Sequence, residues 1–410
     1  MSVTAPRGFA AAGVSAGIRP SGRPDVALVR SLVPAVGCAM WTRNRVQAAP
    51  VVVSRRHLEV AQPQAIVVNA GVANAATGRP GEEDAAATAV YTARLLGLAP
   101  EEVVVLSTGV IGPRLPMEKL LGGVDAAAAT LSPGGGPAAS EAILTTDAGP
   151  KTAIAGGDGF VVGGMGKGAG MIHPALATML AIVTTDYPLE PGEADAFLRP
   201  AVEETFNRIS VDGDCSTNDA VVLLANGQSG VTRSAASDER FAAALREVCA
   251  DISRQIVADG EGATVVLEIR VSSASTAEEA QAIARRVATS PLVKTAAFGH
   301  DPKAIARRVA TSPPVKTAAF GHDPNWGRVL AAAGSAPSNG GFAHLDPDLL
   351  TVSFDGTAVF ERGAPTGRVP ELGGAACTID LDLGLGSGAA AYLASDLSYD
   401  YVRLNAEYTT

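Results

Sequence analysis

Cysteine is scarce in this chain: Cys38, Cys215, Cys249 and Cys377 stand far apart in 410 residues, with no CxxC pair and no histidine cluster nearby. That spacing excludes a disulfide framework and offers no metal site, and it reads as reduced, mostly buried thiols of a cytoplasmic protein. Long apolar runs are missing too, since none reaches the roughly 20 residues that a membrane helix needs. The stretch from Met1 to Ile18 is apolar but is broken by Pro6, Arg7 and several glycines, so it does not read as a signal peptide. Positive charge is short, with a net charge of −10 and no basic block, which argues against a nucleic-acid partner. Aromatics make up only 4% of the residues, so a core must be built from small aliphatic side chains. What is abundant is alanine and glycine in a chain 47% hydrophobic and 18% charged, the composition of a globular protein. At 410 residues there is room for two domains, or for one large one with a second lobe.

Read in order, the chain alternates strand and helix signals, an α/β pattern. Short β-like segments (Asp25–Val29, Val51–Val53) lead to a buried-strand signal, AIVVN, that ends in the loop AGVANAATG, where Asn69 and Asn74 read as turn-holding residues. Gly81–Leu98 reads as a helix with acidic residues in its first turn. The strand VVVL then runs into Ser107-Thr108-Gly109, a hydroxyl followed by a glycine N–H at a strand end, as an oxyanion hole requires. Val124–Ala142 reads as an interrupted helix, and Leu144–Asp147 sets two hydroxyls and a carboxylate at an edge. Glu190–Phe206 and Phe241–Val257 read as helices, with the apolar strand VVLLA between them. The polar run Ile209–Asp219 lacks the distal glutamate of a calcium loop and reads as a satisfied turn. Thr264–Val271, Thr378–Leu385, Ala389–Ser395 and Tyr401–Leu404 read as strands, and Asn405–Thr410 as a polar tail.

One feature is unusual. The segment 282–303 is repeated at once as 304–325, and the copies differ only at Leu292/Pro314 and Lys303/Asn325. A solenoid needs more than two units, so this is a recent tandem duplication or an error in the gene record. Ser275-Thr276-Ala277-Glu278-Glu279 offers two capping boxes for a helix that copy one continues. Each copy then carries a strand signal, VKTAAF, and an Asp-Pro helix start. Pro314 weakens the second strand, so copy one is expected to pair and the surplus 22 residues to extrude at the surface.

The central stretch runs from Gly163 to Asp186, a glycine-rich loop carrying Lys167 and then an apolar run, strand or helix, that contains Thr178. It fails as a phosphate loop, because counting back from Gly166-Lys167 finds Val161 and the next residue is Gly168. It fails as a dinucleotide fingerprint, because Pro174 breaks the required helix. The remaining chemistry is an autocatalytic threonine. Cleavage of the Ala177–Thr178 bond by an N→O acyl shift would give Thr178 a free α-amine, with an ordinary pKa of about 7.7–8, beside its own hydroxyl.

The blocks GMGKGAGMIHPALATML, STGVIG, FNRISVDGDCSTND, SPxVKTAxxGxDPNWGR and YVRLNAEYTT, in this order over nearly the whole chain, closely resemble the ornithine acetyltransferase family of arginine biosynthesis. Its members are also called bifunctional glutamate N-acetyltransferases/ornithine acetyltransferases. The resemblance implies an αββα-type fold of mixed sheets layered with helices, plus a smaller second lobe. It implies self-cleavage into an α chain, 1–177, and a β chain, 178–410, that form one interleaved catalytic unit, two of each assembling. The acetyl group of N-acetylornithine would pass to Thr178, ornithine would leave, and glutamate would take the acetyl in a ping-pong reaction. No cofactor and no metal are implied, and acetyl-CoA is left open as a second donor. Thr108 and Gly109 match the family's oxyanion pair, and Thr145, Lys167, Thr178, Glu261, Asn405 and Thr410 match its substrate contacts. Lys167 suits a substrate α-carboxylate and Glu261 a cationic end. Two other readings remain, a self-cleaving threonine amidohydrolase or aminopeptidase with water as acceptor, and an inactive homologue that the duplication keeps unprocessed.

Overall fold

The computed structural model describes the whole chain except residues 1, 158, 174–178, 299–325, 339, 371, 373 and 408–410. Its contacts divide it into two units. The first holds residues 1–207 and 214–259, and the second holds 208–213 and 260–409.

The first unit is four layers deep. A four-stranded sheet runs in the order Phe9–Val14, Val26–Ser31, Ala65–Val72, Val103–Val110, with only the last pair parallel. A five-stranded sheet runs in the order Val36–Trp41, Ala220–Ala225, Leu180–Thr185, Phe160–Lys167, Lys151–Gly157. Side chains alternate across a strand, so one set from each sheet meets in a shared core: Ile66, Val68, Val104 and Leu106 from the first, Met165, Ile182, Val222 and Leu224 from the second. The opposite set of the first sheet, including Leu28, Val67 and Val105, packs on Ala89 and Ala93 of the helix Gly78–Leu96 and on Leu120 and Val124 of Met117–Thr130. On the outer side of the five-stranded sheet lies Ala235–Ala258, and a Cβ on Gly164 would strike its Val248 and Ile252. The small residues of the glycine stretch thus let a helix sit close on the sheet. The α/β class is the one expected from the sequence, and the layering of mixed sheets with helices is the one that the family resemblance implies.

The second unit is a seven-stranded sheet in the order Ala364–Pro365, Thr357–Glu361, Thr351–Phe354, Ala376–Asp382, Val266–Ala274, Gly388–Ser395, Ile209–Ser210. Helices Ala277–Ala288, Pro291–Phe298 and Trp326–Gly334 contribute Ile283, Val287, Val293 and Val329 to its core. The first of these helices starts where expected, with Thr276 Oγ1 accepting the Glu279 N–H at 3.2 Å.

Three expected strands are helices. Val51–Val53 lies in the helix Ala49–Leu58, where Pro50 suits the first turn and burial of Val51, Val53 and Ser54 outweighs β-branching. Ser54 Oγ both donates to the Val105 carbonyl and accepts the Val105 N–H, each at 2.8 Å, which docks that helix on a sheet strand. VKTAAF of copy one lies in Pro291–Phe298, with proline opening the helix and Val293, Lys294, Ala297 and Phe298 on its buried face. Tyr401–Leu404 lies in Tyr399–Glu407, started by Ser398 Oγ, which accepts the Tyr401 N–H at 3.1 Å. Copy two, its Asp-Pro starts and the expected surface excursion fall outside the described residues. The thiols also differ from expectation, since only Cys249 is buried and Cys38, Cys215 and Cys377 are half-buried. Burial pushes Cys38, Cys249 and Cys377 up to about 12, so these three are poor nucleophiles.

Candidate active site

The strand Val103–Val110 carries Thr108 and Gly109 at its far end, in parallel register with Ala70 and Gly71 of the neighbouring strand. Gly109 has φ +132°, and a Cβ there would run into the Gly71 carbonyl group, so only glycine lets the two strand ends close up. Thr108 is buried. Immediately before it, Ser107 Oγ donates to Asn69 Oδ1 at 2.6 Å, and Asn69 Nδ2 donates to the Val72 carbonyl at 2.8 Å. Asn74, at φ +49°, donates to the Gly81 carbonyl at 2.9 Å, so both asparagines hold the turn as expected.

The polar run Ile209–Asp219 contributes more than a turn. Asn218 Nδ2 donates to the Ser107 carbonyl at 2.8 Å and to the Ala73 carbonyl at 2.7 Å, clamping the Thr108–Gly109 strand end. The next residue, Asp219, accepts the Met179 N–H on Oδ1 at 2.9 Å. Ala220 N–H closes the other side of Met179 by donating to its carbonyl at 3.1 Å. Two adjacent side chains thus tie the expected oxyanion pair to the residue that follows Thr178. Asp219 Oδ2 has no hydrogen-bond partner although Asp219 is 0% exposed, so the run is not fully satisfied. Burial raises this carboxyl well above the usual range, against the opposing pull of the Met179 N–H, the nearby hydroxyls of Thr42 and Ser216, and the charge of Lys167.

Lys167 is 2% exposed, at the end of Phe160–Lys167, where it pairs with Leu180. Its Nζ stands 3.9 Å from Asp147 Oδ2. The same oxygen accepts the Thr145 N–H at 2.9 Å and the Thr145 hydroxyl at 3.4 Å. Asp147 Oδ1 accepts Lys151 Nζ and the Gly168 N–H, both at 2.7 Å, and Lys151 also pairs with Asp259. Burial raises the Asp147 carboxyl, but the charges of Lys167 and Lys151 outweigh it and hold the group well below the usual carboxylate range. Asp147 is therefore the anion that fixes Thr145, the Gly168 backbone and both lysines in one place.

In the second unit, Asn405 Nδ2 donates to Glu261 Oε2 at 3.1 Å and to the Tyr401 carbonyl at 3.0 Å. Gly262, at φ +67°, lies against the start of that last helix, and its carbonyl accepts the Ser398 hydroxyl at 2.6 Å. Glu261 and Asn405, remote in sequence, are thus neighbours. Ala177, Thr178 and Thr410 fall outside the described residues. The sequence shows Asp147 only as an edge carboxylate, and Asn218 and Asp219 only as members of a polar turn, with no role in the site for any of the three. The usable signal was their company, Asp147 two residues after Thr145 and Asn218-Asp219 just ahead of a buried strand. Among the described residues no group of His, Cys, Asp and Glu is placed to hold a metal ion, and no helix is long and apolar enough to cross a membrane.

Comparison with known proteins gives a consistent result. The profile of the ArgJ family matches residues 10–304 and 303–410. The "Arginine biosynthesis bifunctional protein ArgJ" of Thermobifida fusca is 44% identical over 414 residues, covering 100% of both chains. The protein of the same name from Streptomyces coelicolor is 43% identical over 420 residues, again covering 100% of both. Among solved structures, ornithine acetyltransferase complexed with ornithine, from Mycobacterium tuberculosis, is 44% identical, covers 43% of this chain and 96% of its own, and has a TM-score of 0.40.

Proposed function

Because the chain belongs to the ArgJ family, we propose that it is an acetyltransferase of arginine biosynthesis that moves the acetyl group of N-acetylornithine to glutamate through Thr178. The observation that carries the reading is the full-length match to proteins named for arginine biosynthesis, at 44% identity. The linkage of Thr108–Gly109 through Asn218 and Asp219 to Met179 supports it.

Maturation begins with attack of Thr178 Oγ on the Ala177 carbonyl. The N→O shift leaves an ester, water hydrolyses it, and the products are a carboxylate at Ala177 and a free amine at Thr178. In transfer, Thr178 Oγ attacks the acetyl carbonyl of N-acetylornithine and passes its proton to the α-amine. Thr108 and the Gly109 N–H meet the oxyanion, and the departing ornithine nitrogen takes the proton back. The glutamate amine then attacks acetyl-Thr178 by the reverse steps, giving N-acetylglutamate. Lys167, held by Asp147, supplies the cation for the substrate α-carboxylate, with the Thr145 hydroxyl beside it. Glu261, hydrogen-bonded by Asn405, supplies the anion for the ornithine side-chain ammonium, and the chain end at Thr410 completes the substrate contacts. Acetyl-CoA could replace N-acetylornithine at the same threonine. A cytoplasmic assembly of two 1–177 and two 178–410 chains belongs to the same proposal.

The test is a glutamate dependence. Purified protein given N-acetylornithine should form N-acetylglutamate and ornithine in equal amounts when glutamate is present. Acetate release with no N-acetylglutamate would replace the transferase by an amidohydrolase, and one intact mass under denaturing conditions would point to an unprocessed, inactive chain.

A further inference from the structure

The strand end that carries Thr108 and Gly109 departs from a regular ladder. Gly71 faces Gly109, and Val72 then faces both Thr108 and Val110, so the register shifts at this point. An irregularity of this kind disrupts the ladder locally and re-aims the residues that it carries. Ser107 and Thr108 are buried there, and Gly109 is exposed. Such a bend has to be held, because backbone groups taken out of the ladder need other partners.

Two asparagine side chains supply them. Asn69 works inside the sheet, accepting the Ser107 hydroxyl at 2.6 Å and donating to the Val72 carbonyl at 2.8 Å. Asn218 works from outside it. Its Nδ2 donates to the Ser107 carbonyl at 2.8 Å, just before Thr108, and to the Ala73 carbonyl at 2.7 Å, just after Val72. The two bonds therefore straddle the irregularity. The direction of the amide is fixed, because both carbonyls can only accept and Thr217 Oγ1 donates to Oδ1 at 2.6 Å. Ser216 Oγ accepts the Asn218 N–H at 3.1 Å, and two residues on begins Ala220–Ala225, which is paired on both edges. Asn218 is 6% exposed.

We propose that Asn218 is a positioning residue for the oxyanion pair, pinning the Thr108–Gly109 strand end to the five-stranded sheet so that the rate of acyl transfer depends on the pin. The proposal rests on the acetyltransferase reading and on the match of Thr108 and Gly109 to the oxyanion pair. Every atom of the pin lies among the described residues of the first unit. Oxyanion donors act by placement, since they stabilise the charge only where they already stand about 3 Å from the oxygen that receives it. Without the Asn218 amide, two buried carbonyls lose their partner, and the strand end regains partners only by moving. The Lys167–Asp147–Thr145 contacts share no bond with Asn218, so loss of the pin slows the chemistry and leaves donor binding alone.

The experiment is the time course of ornithine release from N-acetylornithine without glutamate, for the parent and for Asn218→Ala. The amplitude of the first turnover counts competent sites, and its rate constant reports the chemistry at each of them. A merely structural loss removes sites and lowers the amplitude, while the sites that remain keep the parent's rate. Asn218→Ala should instead keep the amplitude and lower the rate constant roughly tenfold to a hundredfold, with the half-saturating donor concentration within about twofold of the parent's. A parent-like rate constant overturns the proposal at any amplitude, and so does a raised half-saturating concentration with an unchanged maximal rate. Should Asn218→Ala fail to fold or to release ornithine at all, Thr217→Val decides, because it keeps the amide and removes only the hydroxyl that fixes its direction. A rate constant lowered about threefold to tenfold at the parent's amplitude supports the assignment, and a parent-like rate constant overturns it. A parent that releases no ornithine defeats the acetyltransferase reading instead, so the two failures are distinguishable.

Discussion

Lys294 and Lys167 are both buried lysines, and their surroundings assign them different work. Lys294 donates to the Ser395 carbonyl, and burial lowers its amine from an ordinary 10.5 to about 8, against the opposing charges of Asp212 and Asp396. A lysine whose folded pKa is depressed costs stability while it is protonated, and the cost disappears as pH rises from the folded to the unfolded value. Stability should therefore rise between pH 8 and 10.5, by about 3 kcal/mol at most from this group. Lys294→Met should flatten that rise in urea unfolding followed at pH 7, 8, 9 and 10; an equal rise in the variant would show that another group causes it. Lys167 has a partner that can spare it, because Asp147 keeps Lys151 at 2.7 Å when the 3.9 Å contact is removed. Lys167→Met should therefore fold and self-cleave but raise the KM for N-acetylornithine by roughly tenfold or more, the size of a lost hydrogen bond to a charged group. An unchanged KM would remove Lys167 from the carboxylate site. Lys167 was legible from the sequence because it stands alone among glycines. Asp219 was not, because burial and an unpaired oxygen are properties of the fold around it and leave no local signature.

At the scale of elements, the strands of the first unit could be read from the sequence where long apolar runs left no other choice, as in Ala65–Val72 and Val103–Val110. Reading failed where a segment is apolar but its partner decides its form. Val51–Val53 and VKTAAF contain β-branched residues, yet each follows a proline that opens a helix and each presents a stripe rather than an alternation to its core. The duplication is the element-scale anomaly. The two matched segments of the family profile meet at residues 303–304, the junction between the copies. Copy one supplies Ile283, Ala284, Val287 and Val293 to the core of the second unit, and Val329 of the helix Trp326–Gly334 joins the same core. In sequence, residues 304–325 repeat groups that copy one already contributes to that core. Deleting 304–325 should leave the proposed acetyl transfer intact and raise the midpoint of thermal unfolding by a few degrees, since a connection 22 residues shorter between Phe298 and Trp326 closes at lower entropic cost. A lower midpoint and lost transfer would mean that the second copy, not the first, serves the fold.

On the scale of the whole molecule, the proposed cleavage point lies between strands of one sheet rather than between the two units. Phe160–Lys167 precedes it, Leu180–Thr185 follows it, and the two pair antiparallel over six residues, from Val162↔Thr185 to Lys167↔Leu180. Leu180–Thr185 is also bonded on its other edge to Ala220–Ala225, so it is an interior strand with every residue buried. Unit boundaries fall instead near residues 207–214 and 259–260, far from residue 177. Cutting the chain at Ala177 would therefore sever one covalent link and leave the sheet, its shared core and the Lys167–Asp147 contact in place. The expected result is a pair of masses for 1–177 and 178–410 under denaturing conditions and a single co-eluting species on gel filtration in native buffer. Thr178→Ala should give one intact mass under both conditions, with no N-acetylglutamate formed. Separation of the fragments without denaturant would mean that the strand pairing across the cleavage point does not hold them. Persistent cleavage in Thr178→Ala would mean that the threonine hydroxyl is not the group that attacks. Because Leu180–Thr185 is bonded on both edges, the proposed cut before it is expected to leave Met179 on the Asp219 carboxyl that holds it.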